Sequence, residues 1–357
     1  MIKLSDLSLM IDFTYCTIEP TKFYDGLNGN KLAIYYENEL YMLKFPKESH
    51  KEDSYASSTI NEHIASNIFK ILGFNTQDTL LGTYKEDVVV ACKDFEGFDR
   101  RLINFGKVKN SPLNHSAKGF LDTDFNDTLK IINSQNIIDS NVLKNFYLEM
   151  FIADTFIANF DRHNGNWGLL ADNNRNISIA PIYDCGSSLY PKLNDEEIVH
   201  YMEHKGSFND LMLNQTTSAI TLNGKKINPQ MFLKNNQDLE VFKALKKVYN
   251  NIDMTKISNL IDSIEIISTL RKDFYKNVLQ ERGKILEKII KNATIDNIQI
   301  FSHNQNLDEK MQILEFNQQS IQKMQNSKDL MQENTKNLTQ DSNIAENSVE
   351  SKIRRHK

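Results

Sequence analysis

Near the middle of the chain, the sequence contains the polar segment Asn159-Phe160-Asp161-Arg162-His163-Asn164-Gly165-Asn166. Residues 141–160 are apolar around most of a predicted helix, and a helix of this kind sits at the centre of a domain. Residues 166–170 and 176–180 predict two short strands with a polar turn between them. The sequence therefore predicts a polar loop that the core of the domain holds rigidly.

The side chains of Asp161 and Asn166 are suited to phosphoryl transfer. That reaction needs a carboxylate to orient the attacking hydroxyl, and oxygen ligands to hold magnesium on the phosphates. In kinases, an Asp followed five positions later by an Asn supplies both in the catalytic loop. A plain polar turn is the alternative interpretation, because Asn-Gly is a common turn dipeptide. The spacing alone leaves both interpretations open.

A further acidic residue follows the predicted strand pair, in Ala180-Pro181-Ile182-Tyr183-Asp184-Cys185-Gly186-Ser187. Asp184 lies two positions before Gly186, where kinases carry the magnesium-binding aspartate of Asp-Phe-Gly. Cys185 stands in place of the phenylalanine. A helix cap or an Asx-turn is the alternative for Asp184, and its position after Asp161 and Asn166 favours the metal ligand.

The first hundred residues predict the other half of such a site. Residues 31–36 and 39–45 read as paired strands, and a helix follows from about 57 to 72. Lys44 ends the second strand and Glu62 lies in the helix. Kinases use this order for the lysine that holds the α- and β-phosphates and for its glutamate partner. An exposed lysine on a strand face is the alternative for Lys44, but the complete order of residues predicts a kinase that uses ATP and Mg²⁺.

The predicted phosphate loop is Asp25-Gly26-Leu27-Asn28-Gly29-Asn30-Lys31. Its backbone amides are expected to hold phosphate oxygens, because two glycines let the backbone approach a ligand closely. It lacks the full G-x-G-x-x-G pattern, so a glycine-rich hairpin turn is the alternative.

The architecture predicted from these segments is α+β, a two-lobed protein-kinase-like fold. Residues 1–98 form a small, β-rich, nucleotide-binding N-lobe, and residues 99–295 form a larger, helical, catalytic C-lobe. The later helices are predicted at 228–250, 254–264 and 268–292. Residues 296–357 are rich in Asn, Gln, Ser and Lys, which predicts a polar tail that is largely disordered.

Composition argues against several other classes of protein. The chain has 357 residues and a net charge of -5, which argues against a nucleic-acid partner, because such proteins usually carry a basic surface. Three widely spaced cysteines favour neither a disulfide framework nor a zinc site. No long apolar run predicts a membrane span, and the N-terminus does not read as a signal peptide. We therefore expect synthesis in the cytoplasm.

Four stretches together resemble the HipA-like serine/threonine kinases, namely residues 41–46, 58–65, 161–166 and 183–189. The resemblance implies Asp161 as the catalytic base, Asn166 and Asp184 as magnesium ligands, and Lys44 with Glu62 on the phosphates. It also implies that residues 93–95 hydrogen-bond adenine through their backbone. With the phosphate loop, the residues predicted to bind the nucleotide are Gly26, Asn28, Gly29, Asn30, Lys31, Lys44, Lys93, Asp94, Phe95, His163, Asn166 and Asp184. The resemblance further implies a protein substrate with a Ser or Thr acceptor.

The chain departs from that family in two respects. Several HipA-like kinases are switched off by phosphorylation of a serine in the phosphate loop, whereas residues 26–31 contain no hydroxyl side chain. Toxin-type members often pair with a DNA-binding antitoxin, and no feature of this sequence indicates that partner. The resemblance further suggests a bacterial effector, secreted or translocated into a host cell without a signal peptide.

Two other functions stay open at this stage. A phosphoinositide-type lipid kinase would use the same Asp-Arg-His-x-x-Asn loop, although residues 187–207 lack the basic cluster expected for a phosphorylated head group. A nucleotide-binding pseudokinase or adaptor would not need all three polar residues of the site. Autophosphorylation is a further hypothesis, and its candidate acceptors are Ser187, Ser188, Thr216, Thr217 and Ser218.

Overall fold

The computed structural model describes residues 10–24, 31–46, 58–109, 123–215 and 217–293. All of these residues except Ala293 belong to one compact unit, Met1–Asn292. The predicted α+β class is confirmed, because a six-stranded sheet precedes a mainly helical part. The predicted tail lies outside the described residues, as do Gly26, Asn28, Gly29 and Asn30 of the predicted phosphate loop.

The six-stranded sheet has the order β1-β5-β6-β4-β3-β2. Its strands are β1 Ile11–Asp12, β2 Thr17–Ile18, β3 Lys31–Tyr36, β4 Glu39–Lys44, β5 Thr79–Tyr84 and β6 Asp87–Lys93. The predicted hairpin of β3 and β4 is confirmed, and both residues of its turn have positive φ, 49° at Glu37 and 62° at Asn38. Such turns match the twist of antiparallel strands. The hairpin sets Lys44 opposite Val90 of β6.

Helix α1, Ser58–Ile71, packs against β5 and β6. It buries Ile60, Ile64 and Ile68, which recur at the spacing of one helix face. The predicted helix is therefore confirmed within the described residues. Gly73 ends it with a φ of +91°, a conformation that glycine adopts without steric cost.

The helical part contains nine more helices in the described residues. They are α2 Phe105–Lys109, α3 Phe125–Ser134, α4 Ser140–Phe156, α5 Asp195–Glu203, α6 Lys205–Leu213, α7 Pro229–Asn235, α8 Leu239–Asn250, α9 Met254–Asp262 and α10 over 269–293. The predicted central helix corresponds to α4, whose Leu143, Tyr147 and Phe151 lie in the main core. Two small sheets accompany them, formed by β7 Arg100–Asn104, β8 Gly168–Asp172 and β9 Ile177–Ile179, and by β10 Thr221–Leu222 and β11 Lys225–Lys226.

The single helix predicted over 228–250 is wrong, because the chain forms α7 and α8 there instead. The break falls before Asp238, whose carboxylate accepts hydrogen bonds from the amides of Glu240 and Val241. An aspartate in this position caps the first turn of a new helix. The predicted lobe boundary at residue 98 falls between β6 and β7 and stays a prediction.

Helix α1 is also tied to the helical part through a buried amide. The side chain of Asn61 donates to the carbonyl of Ser188 at 2.8 Å. Its oxygen accepts a hydrogen bond from the hydroxyl of Tyr275 on α10 at 2.6 Å. All three residues are fully buried or nearly so. We call this set the Asn61 bridge, and it fixes α1 one residue away from Glu62.

No helix of the described segments is long and apolar enough to cross a membrane.

Candidate active site

A cleft of about 880 Å³ lies between the six-stranded sheet and the helical part. Nine of the predicted site residues line it, namely Lys31, Lys44, Glu62, Asp94, Phe95, Asp161, His163, Asn166 and Asp184. Lys93 does not line the cleft with them. Its ammonium instead pairs with Glu39 at 3.2 Å.

Lys44 joins the two halves of the cleft. Its Nζ lies 3.2 Å from Oε2 of Glu62 on α1 and 3.1 Å from Oδ1 of Asp184 in the helical part. Glu62 is buried, and its Oε1 accepts a hydrogen bond from the amide of Cys185 at 2.9 Å. The predicted lysine and glutamate therefore meet, and the residue after Asp184 is held by the same glutamate.

The electrostatics of this group keep Lys44 and Asp184 charged. The Lys44 ammonium lowers the pKa of the Asp184 carboxyl well below its usual range, against the opposing effect of burial. Burial alone would lower the pKa of Lys44, but the carboxylates of Asp184 and Glu62 outweigh it and raise the pKa well above normal. Since the side chain of Asp184 is 47% exposed, a charged carboxylate faces the cleft.

The backbone around Asp184 has an unusual shape. Asp184 has a φ of 56°, which is uncommon for a residue with a side chain and is found where structure serves function. A Cβ on Gly186 would meet Oε2 of Glu62 and the carbonyl of Ser58, each at 3.0 Å. Glycine at this position therefore lets α1 approach the segment that carries Asp184.

The loop from Asp161 to Asn166 is held by hydrogen bonds within itself. The side-chain amide of Asn166 donates to the carbonyl of Asp161 at 3.0 Å. This bond uses the nitrogen of the amide, so its oxygen is the end left for a cation. The hydroxyl of Ser187 lies 3.5 Å from Oδ2 of Asp161. Asp161, Asn166 and Ser187 all line the cleft.

Arg162 holds this loop in place from the side of the core, a role that was not predicted from the sequence. Its guanidinium is 1% exposed and pairs with Asp154 of α4 through Nε–Oδ2 at 2.9 Å and Nη2–Oδ1 at 3.1 Å. Nη1 donates to the carbonyls of Asn166 and Tyr183 at 2.7 and 2.6 Å. One side chain thus connects the helix, the loop and the segment before Asp184. The sequence did contain one indication of this pair: Asp154 is an acidic residue within the apolar run that forms α4.

The link between β6 and β7 forms another wall of the cleft. The resemblance implies backbone hydrogen bonds to adenine from Lys93 to Phe95, but the amides of Lys93 and Asp94 already donate to Asp78 and Leu40 at 2.8 Å each. In the part of the chain that the structure describes, the amide of Phe95 has no such partner. Among the described residues, Phe95 therefore has the backbone amide of this segment that is available to a ligand.

The carboxylate of Asp94 lies in a network of hydrogen bonds and one ion pair. Its Oδ2 accepts from the hydroxyl of Tyr24 at 2.7 Å and pairs with Lys22 at 3.1 Å. Its Oδ1 accepts from the amides of Glu96 and Gly97. These bonds anchor the chain that enters the predicted phosphate loop to the link between the lobes.

The residues present fit ATP and magnesium. Met42, Val90, Phe95, Leu102 and Tyr183 form apolar walls suited to a flat purine ring. Among the described residues no three His, Cys, Asp or Glu side chains form a metal-ligating group. Magnesium typically takes one or two protein oxygens and completes its shell with phosphates and water. The carboxylate of Asp184 and the amide oxygen of Asn166 match that requirement.

Comparisons with known proteins agree with this geometry. A family model described as the HipA-like C-terminal domain matches residues 28–258. The serine/threonine-protein kinase CtkA of Helicobacter pylori (strain J99) is 43% identical over 282 residues, which are 78% of this chain and 86% of the relative. A crystal structure of a Helicobacter pylori proinflammatory kinase CtkA matches with a TM-score of 0.76 at 40% identity, covering 80% of this chain and 99% of the other. The chain therefore belongs to the family of HipA-like serine/threonine-protein kinases.

Proposed function

We propose that the protein transfers the γ-phosphoryl group of ATP, with Mg²⁺, to a serine or threonine hydroxyl of a protein substrate. The observation that carries this proposal is Lys44, whose ammonium contacts both Glu62 and Asp184 in a cleft that Asp161 and Asn166 also line. This is the assembled arrangement that phosphoryl transfer in kinases requires.

Each of these residues has a separate task in the proposal. Asp161 orients the attacking hydroxyl and accepts its proton. Lys44 holds the α- and β-phosphates, and Glu62 keeps the ammonium in place. Asp184 and Asn166 would hold the magnesium ion, which neutralises charge on the phosphates when bound. Lys31, His163 and the amide of Phe95 complete the nucleotide contacts.

The class of molecule that accepts the phosphoryl group is tested by incubating the protein with labelled ATP, a generic protein substrate and phosphoinositide vesicles. We expect label in protein, and about 10²-fold less of it with Lys44→Met, because removal of one charge-stabilising donor costs this much. Lys93→Met is the matched control, since that lysine pairs with Glu39 and does not line the cleft. Label in lipid alone would replace the protein-kinase proposal with the lipid-kinase alternative.

Autophosphorylation, if it occurs, is expected at Ser187 or Thr217. The Ser187 hydroxyl lies beside Asp161, and Thr217 is exposed. Ser188 and Ser218 are buried, at 0% and 4% exposure, which disfavours both as acceptors. Thr216 lies outside the described residues. Mass spectrometry after incubation with ATP should find phosphate on Ser187 or Thr217 and none on Ser188; a modified Ser188 would contradict the expectation.

We also propose that the protein acts as an exported effector. The support is the description of the solved relative as a proinflammatory kinase. Detection of the chain in the culture medium of intact cells is the corresponding measurement, and its confinement to the cell pellet would count against export.

A further inference from the structure

A hydrogen-bonded turn directly follows Asp184 in the chain. The amide of Ser188 donates to the carbonyl of Cys185 at 3.2 Å, which closes a turn of four residues. Cys185 and Ser188, the two ends of the turn, are both fully buried. We call residues 185–188 the Cys185 turn. Its position means that any shift of the turn also moves the backbone that carries the Asp184 carboxylate.

Two neighbouring residues of α1 hold the two ends of the Cys185 turn. Oε1 of Glu62 accepts a hydrogen bond from the amide of Cys185 at 2.9 Å. The side-chain amide of Asn61 donates to the carbonyl of Ser188 at 2.8 Å. Both α1 side chains are buried, at 2% and 0% exposure. The turn therefore cannot move along α1 without leaving a buried polar group unpaired, which is costly.

The hydroxyl of Tyr275 sets the direction of the Asn61 amide. It donates to Oδ1 of Asn61 at 2.6 Å, so the amide nitrogen is the end that faces the carbonyl of Ser188. If the amide turned over, its oxygen would meet that carbonyl, and two acceptors would face each other without a proton between them. Neither Asn61 nor Tyr275 is among the described residues that line the cleft. Their effect on the site therefore passes through the Cys185 turn.

The backbone at Asp184 needs support from its surroundings. Its φ of 56° is costly for a residue with a side chain, and such a conformation persists where neighbouring structure enforces it. On one side of Asp184, Arg162 donates to the carbonyl of Tyr183 at 2.6 Å. On the other side, the Cys185 turn supplies the constraint. The Asp184 side chain itself is 47% exposed, so these backbone anchors fix where its carboxylate points.

We propose that Asn61 and Tyr275 are positioning residues for the magnesium site, because the Asn61 bridge holds the Cys185 turn and thereby keeps the Asp184 carboxylate directed into the cleft. This inference rests on the proposed use of ATP and Mg²⁺. Without the Tyr275 hydroxyl, the Asn61 amide can turn over and the turn loses one of its two anchors. Asp184 then spends less time in the orientation that binds the ion, and the apparent affinity for magnesium with nucleotide falls by the same fraction.

Calorimetry with ATP, once with Mg²⁺ and once in EDTA, tests this inference without measuring phosphoryl transfer. We expect wild type to bind ATP more tightly with Mg²⁺ than in EDTA. In Tyr275→Phe the ratio of the two affinities should fall about 3- to 10-fold, the size of one lost hydrogen bond, while the affinity in EDTA stays within about 2-fold of wild type.

Tyr147→Phe is the matched control. It also removes the hydroxyl of a buried tyrosine, 1% exposed and in α4, which is not among the described residues that line the cleft. This variant should keep the wild-type ratio of affinities. Thermal unfolding shows whether both variants fold.

Asn61→Ala provides a second measurement. If the Tyr275 hydroxyl acts only through Asn61, Tyr275→Phe should lower the ratio in the wild-type background and have no further effect in Asn61→Ala. Two independent losses of stability would instead give effects that add. If Asn61→Ala does not fold, the comparison of Tyr275→Phe with Tyr147→Phe is sufficient.

The outcomes separate this inference from the function on which it rests. If Tyr275→Phe keeps the wild-type ratio, weakens ATP binding equally with and without Mg²⁺, or adds its effect to that of Asn61→Ala, the Asn61 bridge contributes only to stability and the inference is overturned. If wild type binds ATP equally well with Mg²⁺ and in EDTA, the proposed magnesium site fails first, and the inference fails with it.

Discussion

An Asp161→Asn variant should lose about 10²- to 10⁴-fold in kcat, which is the usual contribution of a positioned acid or base. The substitution keeps the shape of the side chain and removes the carboxylate that would accept the proton of the acceptor hydroxyl. Affinity for ATP should stay within about 2-fold of wild type, because the proposed phosphate and adenine contacts involve other residues. Initial rates of protein phosphorylation and calorimetry with ATP measure the two effects.

Asp172→Asn is the matched control for this prediction. Asp172 lies in β8 and bonds to Asn176 in the adjoining turn, and it is not among the residues that line the cleft. The same chemical change there should leave kcat unchanged. Full activity in Asp161→Asn, with the fold intact, would show that another group is the base.

An Asp154→Asn variant should lower the free energy of unfolding by about 3–5 kcal/mol, the cost of removing one partner of a buried ion pair. Asp154 is 3% exposed and gives both carboxylate oxygens to the Arg162 guanidinium. The pKa of Arg162 is raised, since the carboxylate outweighs the effect of burial. Because an arginine guanidinium does not lose its proton in proteins, it stays charged in the variant and is left without the carboxylate of Asp154. Activity should also fall, because Arg162 holds the carbonyls of Asn166 and Tyr183.

The same helix supplies a control for Asp154. Glu149 of α4 pairs with Lys247 at 2.7 Å, and that lysine side chain is 63% exposed. Glu149→Gln should cost no more than about 1 kcal/mol, as is usual for exposed pairs. Urea unfolding of both variants gives the comparison. Equal losses in the two would mean that burial of the Arg162 pair has no special effect on stability.

The parts of the structure that were predictable from sequence depend on local patterns. The β3–β4 hairpin follows from alternating strand residues and a two-residue turn, and α1 follows from its apolar spacing and Gly73. These two elements alone place Lys44 near Glu62. The order of polar residues then added Asp161, Asn166 and Asp184 to the same cleft.

The parts that were missed depend on contacts between distant residues. Arg162 reads as a loop residue until α4 supplies Asp154 beneath it. The break between α7 and α8 depends on Asp238 as a helix cap. The preference of aspartate for that position is a weak signal beside the helix propensity of the flanking residues, so the sequence did not predict the break. No periodicity in the sequence records any of these pairings.

The Asn61 bridge has a consequence for the time at which one contact of the fold can form. Asn61 and Tyr275 are 214 positions apart, so a ribosome delivers α1 long before it delivers the tyrosine that secures it. A chain that ends before Tyr275 would carry every residue proposed to contact ATP and still lack the hydroxyl that bonds to Asn61. We therefore expect the contact that secures α1 beside Ser188 to form only after Tyr275 of α10 has been added to the chain.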